Sequence, residues 1–222
     1  MSSCLGGFTL LELVVATTIF AVVIGAAYAL FDSSRTLASK AEMRAELFQT
    51  ARAALRALED DVRGAVLGGT AFDTGLIGTN RGSKEEPLDR LEVFAVNQHT
   101  QGNSKDKRID LSKALYRIAD GTTPGLKGLV RERVKTLTAG TTTRGRGENQ
   151  EEVAPDVIGL DLRYYDSGWK DTWDSTTQNK LPKAVEATIL VRGIWRDEPV
   201  VERFTTRFYL AVGAETPERQ PQ

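Results

Sequence analysis

The chain has 222 residues, and its 29 lysines and arginines nearly balance its 30 aspartates and glutamates. No basic excess is present, which argues against nucleic acid as an obligatory partner. The length suits one anchor and one globular domain of ordinary size. Cys4 and His99 are the only cysteine and histidine, so the usual catalytic pairs of a nucleophile with a histidine base are not expected.

An apolar run from Phe8 to Phe31 carries one carboxylate, Glu12, near its start. A charge near the centre of a spanning helix costs about 2.5–3.5 kcal/mol on insertion scales. Each large apolar residue favours insertion by about 0.3–0.6 kcal/mol, so the run outweighs its acid. At about 1.5 Å per residue the run reaches about 36 Å, enough to cross a hydrocarbon core of about 30 Å. We predict a transmembrane helix segment over residues 8–31.

A secretory signal peptide is the main alternative for this run. Such a signal has an apolar core of about 7–15 residues, with basic residues before it and a small-residue cleavage site after it. The run here is longer, and the seven residues before it contain no lysine or arginine. A permanent anchor is therefore favoured, although the pair Ala26-Ala27 keeps the cleaved signal open as an alternative.

The position of Glu12 has an electrostatic explanation if the chain is cut between Gly7 and Phe8. The new amine of Phe8 would carry a positive charge, and Glu12 of one subunit would neutralise the amine of its neighbour. A lone carboxylate is costly in lipid, whereas a paired one is tolerated and also defines a geometry. This arrangement would make the membrane acid a device for subunit assembly.

The segment Gly7-Phe8-Thr9-Leu10-Leu11-Glu12 resembles the processing motif shared by type IV pilins and type II secretion pseudopilins. The resemblance implies that residues 1–7 are a prepilin leader, removed by a prepilin peptidase that cuts between Gly7 and Phe8. It also implies N-methylation of Phe8 and registration of subunits by Glu12 during assembly. The implied fold is pilin-like.

The leader departs from this pattern in one respect. Leaders of this superfamily normally carry lysine or arginine, whereas the nearest basic residues here are Arg35 and Lys40, beyond the span. Because basic residues favour the cytoplasmic side, charge alone favours the opposite orientation. We expect either a start codon further upstream or a recognition machinery that overrides this bias.

Beyond the span the helix is predicted to continue over residues 32–66. Apolar residues recur there at three-, four- and seven-residue steps, namely at Leu37, Ala41, Phe48, Ala51, Leu55, Leu58 and Val62. No proline precedes Pro87, and Gly68-Gly69 provides a natural stop. We expect the apolar stripe to pack on the sheet of its own domain, with a coiled-coil dimer as the alternative.

The pattern changes to strands in a β-rich globular domain over residues 67–213. Strands are predicted at 91–96, 114–118, 128–134, 157–165, 182–195 and 200–212, with a hairpin loop at 197–199. Polar, glycine-rich loops are predicted at 70–87, 98–110 and 138–152, and a disordered tail at 214–222. A long N-terminal helix, membrane-spanning in its first half, packed on an antiparallel sheet gives the α+β class.

Four aromatic residues surround a predicted turn at Ser167-Gly168, namely Tyr164, Tyr165, Trp169 and Trp173. Large amphipathic rings near a loop either close the edge of a core or anchor a partner interface, and both interpretations stay open. Nearby acids, Asp166, Asp171 and Asp174, match no calcium-loop spacing, so we expect a solvated turn without metal.

The tyrosine-rich strand end, the Trp169–Trp173 pair and Leu181-Pro182-Lys183-Ala184-Val185 together resemble the J-type minor pseudopilin of type II secretion systems. This resemblance implies a single-pass inner-membrane protein whose globular domain lies in the periplasm. It implies a place in the pseudopilus tip complex, with the I-type and K-type minor pseudopilins as partners. The tip would prime assembly and help to export folded proteins. A minor pilin of a type IV pilus or DNA-uptake filament shares the anchor and is the alternative.

Catalytic motifs are not found. The chain contains no Gly-x-Ser-x-Gly elbow, phosphate-binding glycine loop or His-Glu-x-x-His sequence, and His99 lies in a polar stretch where a solvated side chain is expected. We predict a protein that is not an enzyme, with no catalytic residue, cofactor, metal or small-molecule substrate. A signal-anchored periplasmic enzyme is the disfavoured third alternative.

Overall fold

The computed structural model describes residues 9–67, 75–98, 109–119, 125–135 and 150–210. The predicted leader, the bond between Gly7 and Phe8, His99 and the predicted tail 214–222 lie outside the described residues. The chain divides into two units, Met1–Ala45 and Glu46–Gln222. Helix α1, Leu10–Arg63, begins in the first and ends in the second.

The first unit is helical and its apolar side chains are exposed from Leu10 to Phe31. By length and composition this part of α1 is apolar enough to cross a membrane. Two of its polar side chains are satisfied within the helix, because the Thr17 and Thr18 hydroxyls donate to the Val14 carbonyl at 3.0 and 2.7 Å. Such hydrogen bonds remove the main cost of a hydroxyl in lipid. The predicted helix is confirmed here.

In the second unit α1 buries a face that differs in part from the predicted stripe. The buried residues of this helix are Leu47, Ala51, Ala54, Leu58, Asp61 and Val62. The prediction was right for Ala51, Leu58 and Val62. Phe48 was also predicted to be buried, but it is 57% exposed and contacts Phe204, with ring centroids 5.0 Å apart. Leu47, Ala54 and Asp61 complete the buried face and were not part of the predicted stripe.

Within the described ranges, ten strands and one short helix follow. They are β1 (Leu76–Thr79), β2 (Arg90–Gln98), β3 (Ile109–Ile118), β4 (Leu129–Lys135), β5 (Gln150–Ala154), β6 (Val157–Tyr165), β7 (Trp169–Lys170), β8 (Trp173–Asp174), α2 (Ser175–Gln178), β9 (Ala184–Trp195) and β10 (Glu198–Tyr209). A six-stranded sheet has the order β5-β4-β3-β2-β1-β8, and a four-stranded sheet has the order β10-β9-β6-β7. The pairs between these strands are antiparallel, so the α+β prediction is confirmed.

Several strands occupy segments that were predicted as loops. Strand β1 lies within 70–87, most of β5 lies within 138–152, and the β2–β3 pair extends to Gln98 and Ile109. These segments are polar or short and have no apolar alternation. Their strand conformation comes from pairing with neighbouring strands, which supplies the hydrogen bonds that local sequence does not specify.

The β9–β10 hairpin corrects the predicted loop at 197–199. Its turn consists of Arg196 and Asp197, which have φ values of 51° and 64°. Two-residue turns of this kind match the twist of the flanking strands. Pro199 is paired with Ile194 inside the ladder, which is possible because β10 is an edge strand and needs no outward hydrogen bond there.

Asp89 joins the two sheets. Its backbone N–H donates to the Leu160 carbonyl at 2.9 Å, and its carboxylate accepts from the N–H groups of Arg81 and Leu162, both at 2.8 Å. The residue is 2% exposed. Burial raises the pKa of the Asp89 carboxyl to about 6, although the two N–H groups oppose that effect. The backbone and the side chain of Asp89 therefore both help to hold β6 beside the start of β2.

Candidate functional site

The membrane acid lies in the first turn of α1. The Glu12 N–H donates to the Thr9 carbonyl at 3.1 Å and lies 3.3 Å from the Thr9 hydroxyl, so Thr9 caps the helix. A carboxylate in this turn is favoured by the helix dipole. Glu12 is exposed, and among the described residues its carboxylate makes no ion pair. The side chain is thus presented outward from the helix start, among exposed apolar residues.

A buried cluster of charges fixes the far end of α1. Asp61 is fully buried, and its Oδ2 lies 2.5 Å from the Tyr116 hydroxyl on β3. Asp61 Oδ1 accepts from Arg133 Nη2 at 3.0 Å, and Oδ2 lies 3.5 Å from Arg131 Nη1. Burial raises the pKa of Tyr116 far above its usual value, and the negative charge of Asp61 adds a smaller effect in the same direction. The cluster therefore positions the helix on β3 and β4.

Sequence reasoning missed this cluster. The helix pattern placed charged residues off the apolar stripe, yet Asp61 lies between the buried residues Leu58 and Val62. An acid at a position that helical spacing assigns to the buried face was the available indication. Its partners lie on β3 and β4, about 55 to 72 positions later, and no local pattern connects them.

Two of the four predicted aromatic residues are buried. Tyr164 and Trp173 are 1% and 2% exposed, with ring centroids 6.5 Å apart, and Trp173 Nε1 donates to Ser175 Oγ at 3.1 Å. Tyr164 packs so closely on Gly78 that a Cβ there would lie 1.9 Å from its hydroxyl oxygen. Both rings close the core, because they alternate with outward residues on their strands. Tyr164 and Trp173 were predicted as possible interface residues, and we correct this prediction because both are core residues.

The other two aromatic residues lie on the outer face of the four-stranded sheet. Tyr165 is 37% exposed and Trp169 is half-buried, with ring centroids 5.2 Å apart. The guanidinium carbons of Arg163 and Arg207 lie 5.6 and 5.3 Å from the centroid of the Trp169 ring. Both are cation–π contacts that hold the ring in place.

Strand register arranges these residues in two adjacent rows. In the first row, Tyr165 is paired with Trp169 on one side and with Ala184 on the other. Ala184 is paired in turn with Tyr209, an aromatic residue that is 69% exposed. Glu186 lies between the two arginines of the next row, with its carboxylate 2.6 Å from Arg207 Nε and 3.8 Å from Arg163 Nη1. We call Arg163, Tyr165, Trp169, Arg207 and Tyr209 the aromatic–arginine face.

The three acids near the turn at Ser167-Gly168 contact other groups of the domain. Asp166 accepts from Lys180 Nζ at 2.5 Å, and this hydrogen bond lowers the pKa of Asp166. Asp174 caps α2 by accepting from the Thr176 N–H at 2.8 Å, and hydrogen bonding by Thr176 lowers the pKa of Asp174. Asp171 lies 3.3 Å from Arg163 Nε. These contacts stabilise the turn beside the aromatic–arginine face.

Comparison with known proteins gives two family matches that follow one another along the chain. A model of the prokaryotic N-terminal methylation motif matches residues 6–28, and a model described as type II secretion system protein J matches residues 29–203. Among solved structures, the chain is similar to the type IV-like pilin TTHA1219 from Thermus thermophilus, at 14% identity over 76% of this chain and 97% of that chain, with a TM-score of 0.47. No match was found among curated proteins.

Proposed function

Because the chain belongs to the protein J family of the type II secretion system, we propose that this minor pseudopilin is part of the pseudopilus tip complex. There it would prime assembly and help to export folded proteins. The observation that carries this proposal is Glu12, exposed in the first turn of an apolar helix whose start matches the methylation motif. The family is a structural one. A minor pilin of a type IV pilus or DNA-uptake filament shares the anchor, but the match over residues 29–203 is to the secretion system.

Processing would create the partner for Glu12. Cleavage between Gly7 and Phe8 by a prepilin peptidase frees the Phe8 amine, which is then methylated and stays positively charged. In lipid, this amine and the Glu12 carboxylate of a neighbouring subunit attract strongly because little water screens them. Pairing removes two costly charges at once and sets the axial position of one subunit relative to the next.

The proposal also includes an orientation in the membrane, which is that of the family and not the one favoured by the basic residues Arg35 and Lys40. Among the described residues one helix is apolar enough to cross a membrane, and together with the methylation motif it fits a single-pass membrane protein. We place the cut terminus at the inner membrane, the helix continuation 32–66 beyond it and the globular domain 67–213 in the periplasm. Folded proteins awaiting export would then meet the β-rich domain, which the anchor holds at the end of the filament.

The aromatic–arginine face is the surface we assign to the neighbouring minor pseudopilins, of the I type and K type. Tryptophan, tyrosine and arginine are enriched among residues that dominate binding energies. Trp169 is held between two guanidinium groups, and Glu186 holds those groups in turn. A ring that is immobile before binding loses little conformational entropy on association.

Intact-mass measurement of the membrane-extracted protein, after coexpression with a prepilin peptidase and the I-type and K-type subunits, tests the processing step. We expect a mass that begins at a methylated Phe8, and copurification with the I-type and K-type subunits. Retention of residues 1–7 in cells with an active peptidase would contradict the proposal. Efficient processing without any copurification would contradict the proposed partners but not the proposed processing step.

A further inference from the structure

A cavity of about 450 Å³ lies at one end of the six-stranded sheet. Its lining combines three arginines with apolar side chains, namely Arg81, Arg90, Arg117, Leu88, Ile118 and Ala119. The residues come from the loop after β1, the start of β2 and the end of β3. None of them belongs to the aromatic–arginine face or to the membrane helix, so this cavity is a separate feature of the domain.

Strand register brings two of these arginines into direct opposition. Strands β2 and β3 are paired with Leu91 opposite Tyr116, so the next position outward places Arg90 opposite Arg117. Tyr116 points towards α1, where it meets Asp61, and alternation along a strand places Arg117 on the other face of the sheet. Two like charges directly opposite each other on neighbouring strands destabilise a sheet.

Two acids of β2 and β4 are engaged by other side chains. Glu92 forms an ion pair with Lys113, and Glu132 accepts from Gln150 at 3.1 Å. Arg117 makes an interaction within the fold, whereas across the described ranges the guanidinium groups of Arg81 and Arg90 form no ion pair. The nearby carboxylate of Asp89 is already engaged by two backbone N–H groups. The cavity is therefore a local concentration of positive charge.

We infer that this cavity binds a carboxylate of a protein partner, presented beside an apolar side chain. Guanidinium groups bind carboxylates through two parallel hydrogen bonds, which favours a planar anion. Leu88 is 42% exposed and, with Ile118, provides an apolar wall that a small inorganic anion would leave uncovered. The volume lies within the range of roughly 300–1,000 Å³ that is usual for ligand sites.

Calorimetric titration of the full-length protein in detergent tests this inference. The probe is acetyl-Leu-Glu-Leu amide, and acetyl-Leu-Gln-Leu amide is its uncharged match. We expect the acidic peptide to bind at least about tenfold more tightly than the neutral one, since charged hydrogen bonds are among the strongest. Arg90→Gln should weaken its binding by about tenfold, and added salt should weaken it further. Arg192→Gln, at an exposed arginine of β9, should leave it unchanged.

A second measurement separates binding from folding. Without peptide, Arg90→Gln should keep the melting temperature of the parent protein, because across the described ranges the Arg90 guanidinium forms no ion pair that the substitution would break. Equal affinities for the two peptides, or full affinity in Arg90→Gln, would overturn the inference. So would a fall in melting temperature in that variant. Binding of inorganic phosphate that depends on Arg90, without binding of the acidic peptide, would identify a site for small anions and equally overturn it.

Discussion

Asp61 and Tyr116 meet in the core at 2.5 Å, between the last turns of α1 and the third strand. Asp61 is fully buried and is also contacted by Arg131 and Arg133. A buried charge is tolerated only when it has such partners. The end of α1 is therefore held on the six-stranded sheet by charge as well as by apolar packing.

Replacing the acid of this cluster should destabilise the domain strongly. Asp61→Asn removes the ion-pair partner of Arg133 in a partly buried site and leaves Arg131 paired with Glu151 alone. Breaking a buried pair in this way costs about 3–5 kcal/mol. Urea unfolding followed by tryptophan fluorescence measures the change in free energy. Asp60→Asn is the matched control because that neighbour is exposed, and its effect should stay within about 0.5 kcal/mol. Similar losses in both variants would contradict a specific role for the cluster.

Removing the membrane acid should separate insertion from assembly. Glu12→Gln keeps the size of the side chain but loses the charge that the Phe8 amine of a neighbour would need. Insertion should be retained or improved because a charge is removed from lipid. Membrane fractionation reports insertion, and secretion by a strain lacking the native protein reports assembly, which should be impaired.

Thr17→Ala is the control for Glu12→Gln, because the Thr17 hydroxyl is satisfied within its own helix. This variant should insert and support secretion normally. Full secretion in the Glu12→Gln strain would rule out the pairing of Glu12 with a neighbouring amine.

The two tryptophans should respond differently to truncation. Trp173→Ala removes a buried ring and should cost about 3–5 kcal/mol in the free energy of unfolding. Trp169→Ala should leave the domain folded and weaken binding of the I-type or K-type subunit by about tenfold or more, as for an interface anchor. Thermal unfolding and a pull-down with the two partners measure these effects. Unfolding of the Trp169→Ala protein would assign that ring to the core instead.

Gly78 should not tolerate a side chain. A Cβ at this position would lie 1.9 Å from the hydroxyl oxygen of Tyr164 and 2.1 Å from its ring, so Gly78→Ala forces the buried tyrosine to move. Overpacking of this kind typically costs about 1–3 kcal/mol. Gly168→Ala is the control, since nothing lies within 4 Å of its added Cβ. Equal melting temperatures for the two variants would show that Tyr164 can move without cost.

Asp89 should make stability fall as the solution becomes less acidic. Its pKa is raised from 3.8 to about 6 in the folded protein, so between these values the folded state keeps a proton that the unfolded state has lost. Stability contributed by this proton is present below pH 4 and is lost as the pH rises to about 6. Urea midpoints across this window should fall for the parent protein more steeply than for Asp89→Asn. Parallel curves would show that another group causes the trend.

Much of the fold was predictable from local patterns. Local patterns identified β2, β4, β6, β9 and β10 and the second half of β3, because each is long enough to show a strand pattern. The apolar run identified the first half of α1. Strands β1, β5, β7 and β8 were not predicted, because they have two to five residues each and are ordered by their neighbours.

The inward or outward direction of the aromatic residues could not be read from composition. Tyr164 and Tyr165 are adjacent and chemically identical, yet one is 1% and the other 37% exposed. Strand alternation requires them to point in opposite directions, but only the packing of the sheet decides which one enters the core. Trp169 and Trp173 also differ in burial, and they lie on strands of different sheets.

The sequence by itself determined the anchor, the processing motif and the α+β class, since each depends on residues that are close together along the chain. Only the tertiary structure decided which charges meet. Asp61 finds Arg133, 72 positions away, and Arg90 comes to lie opposite Arg117 through strand register. Such encounters are set by the way distant segments pair, because pairing fixes at once the partner and the face of every residue in a strand.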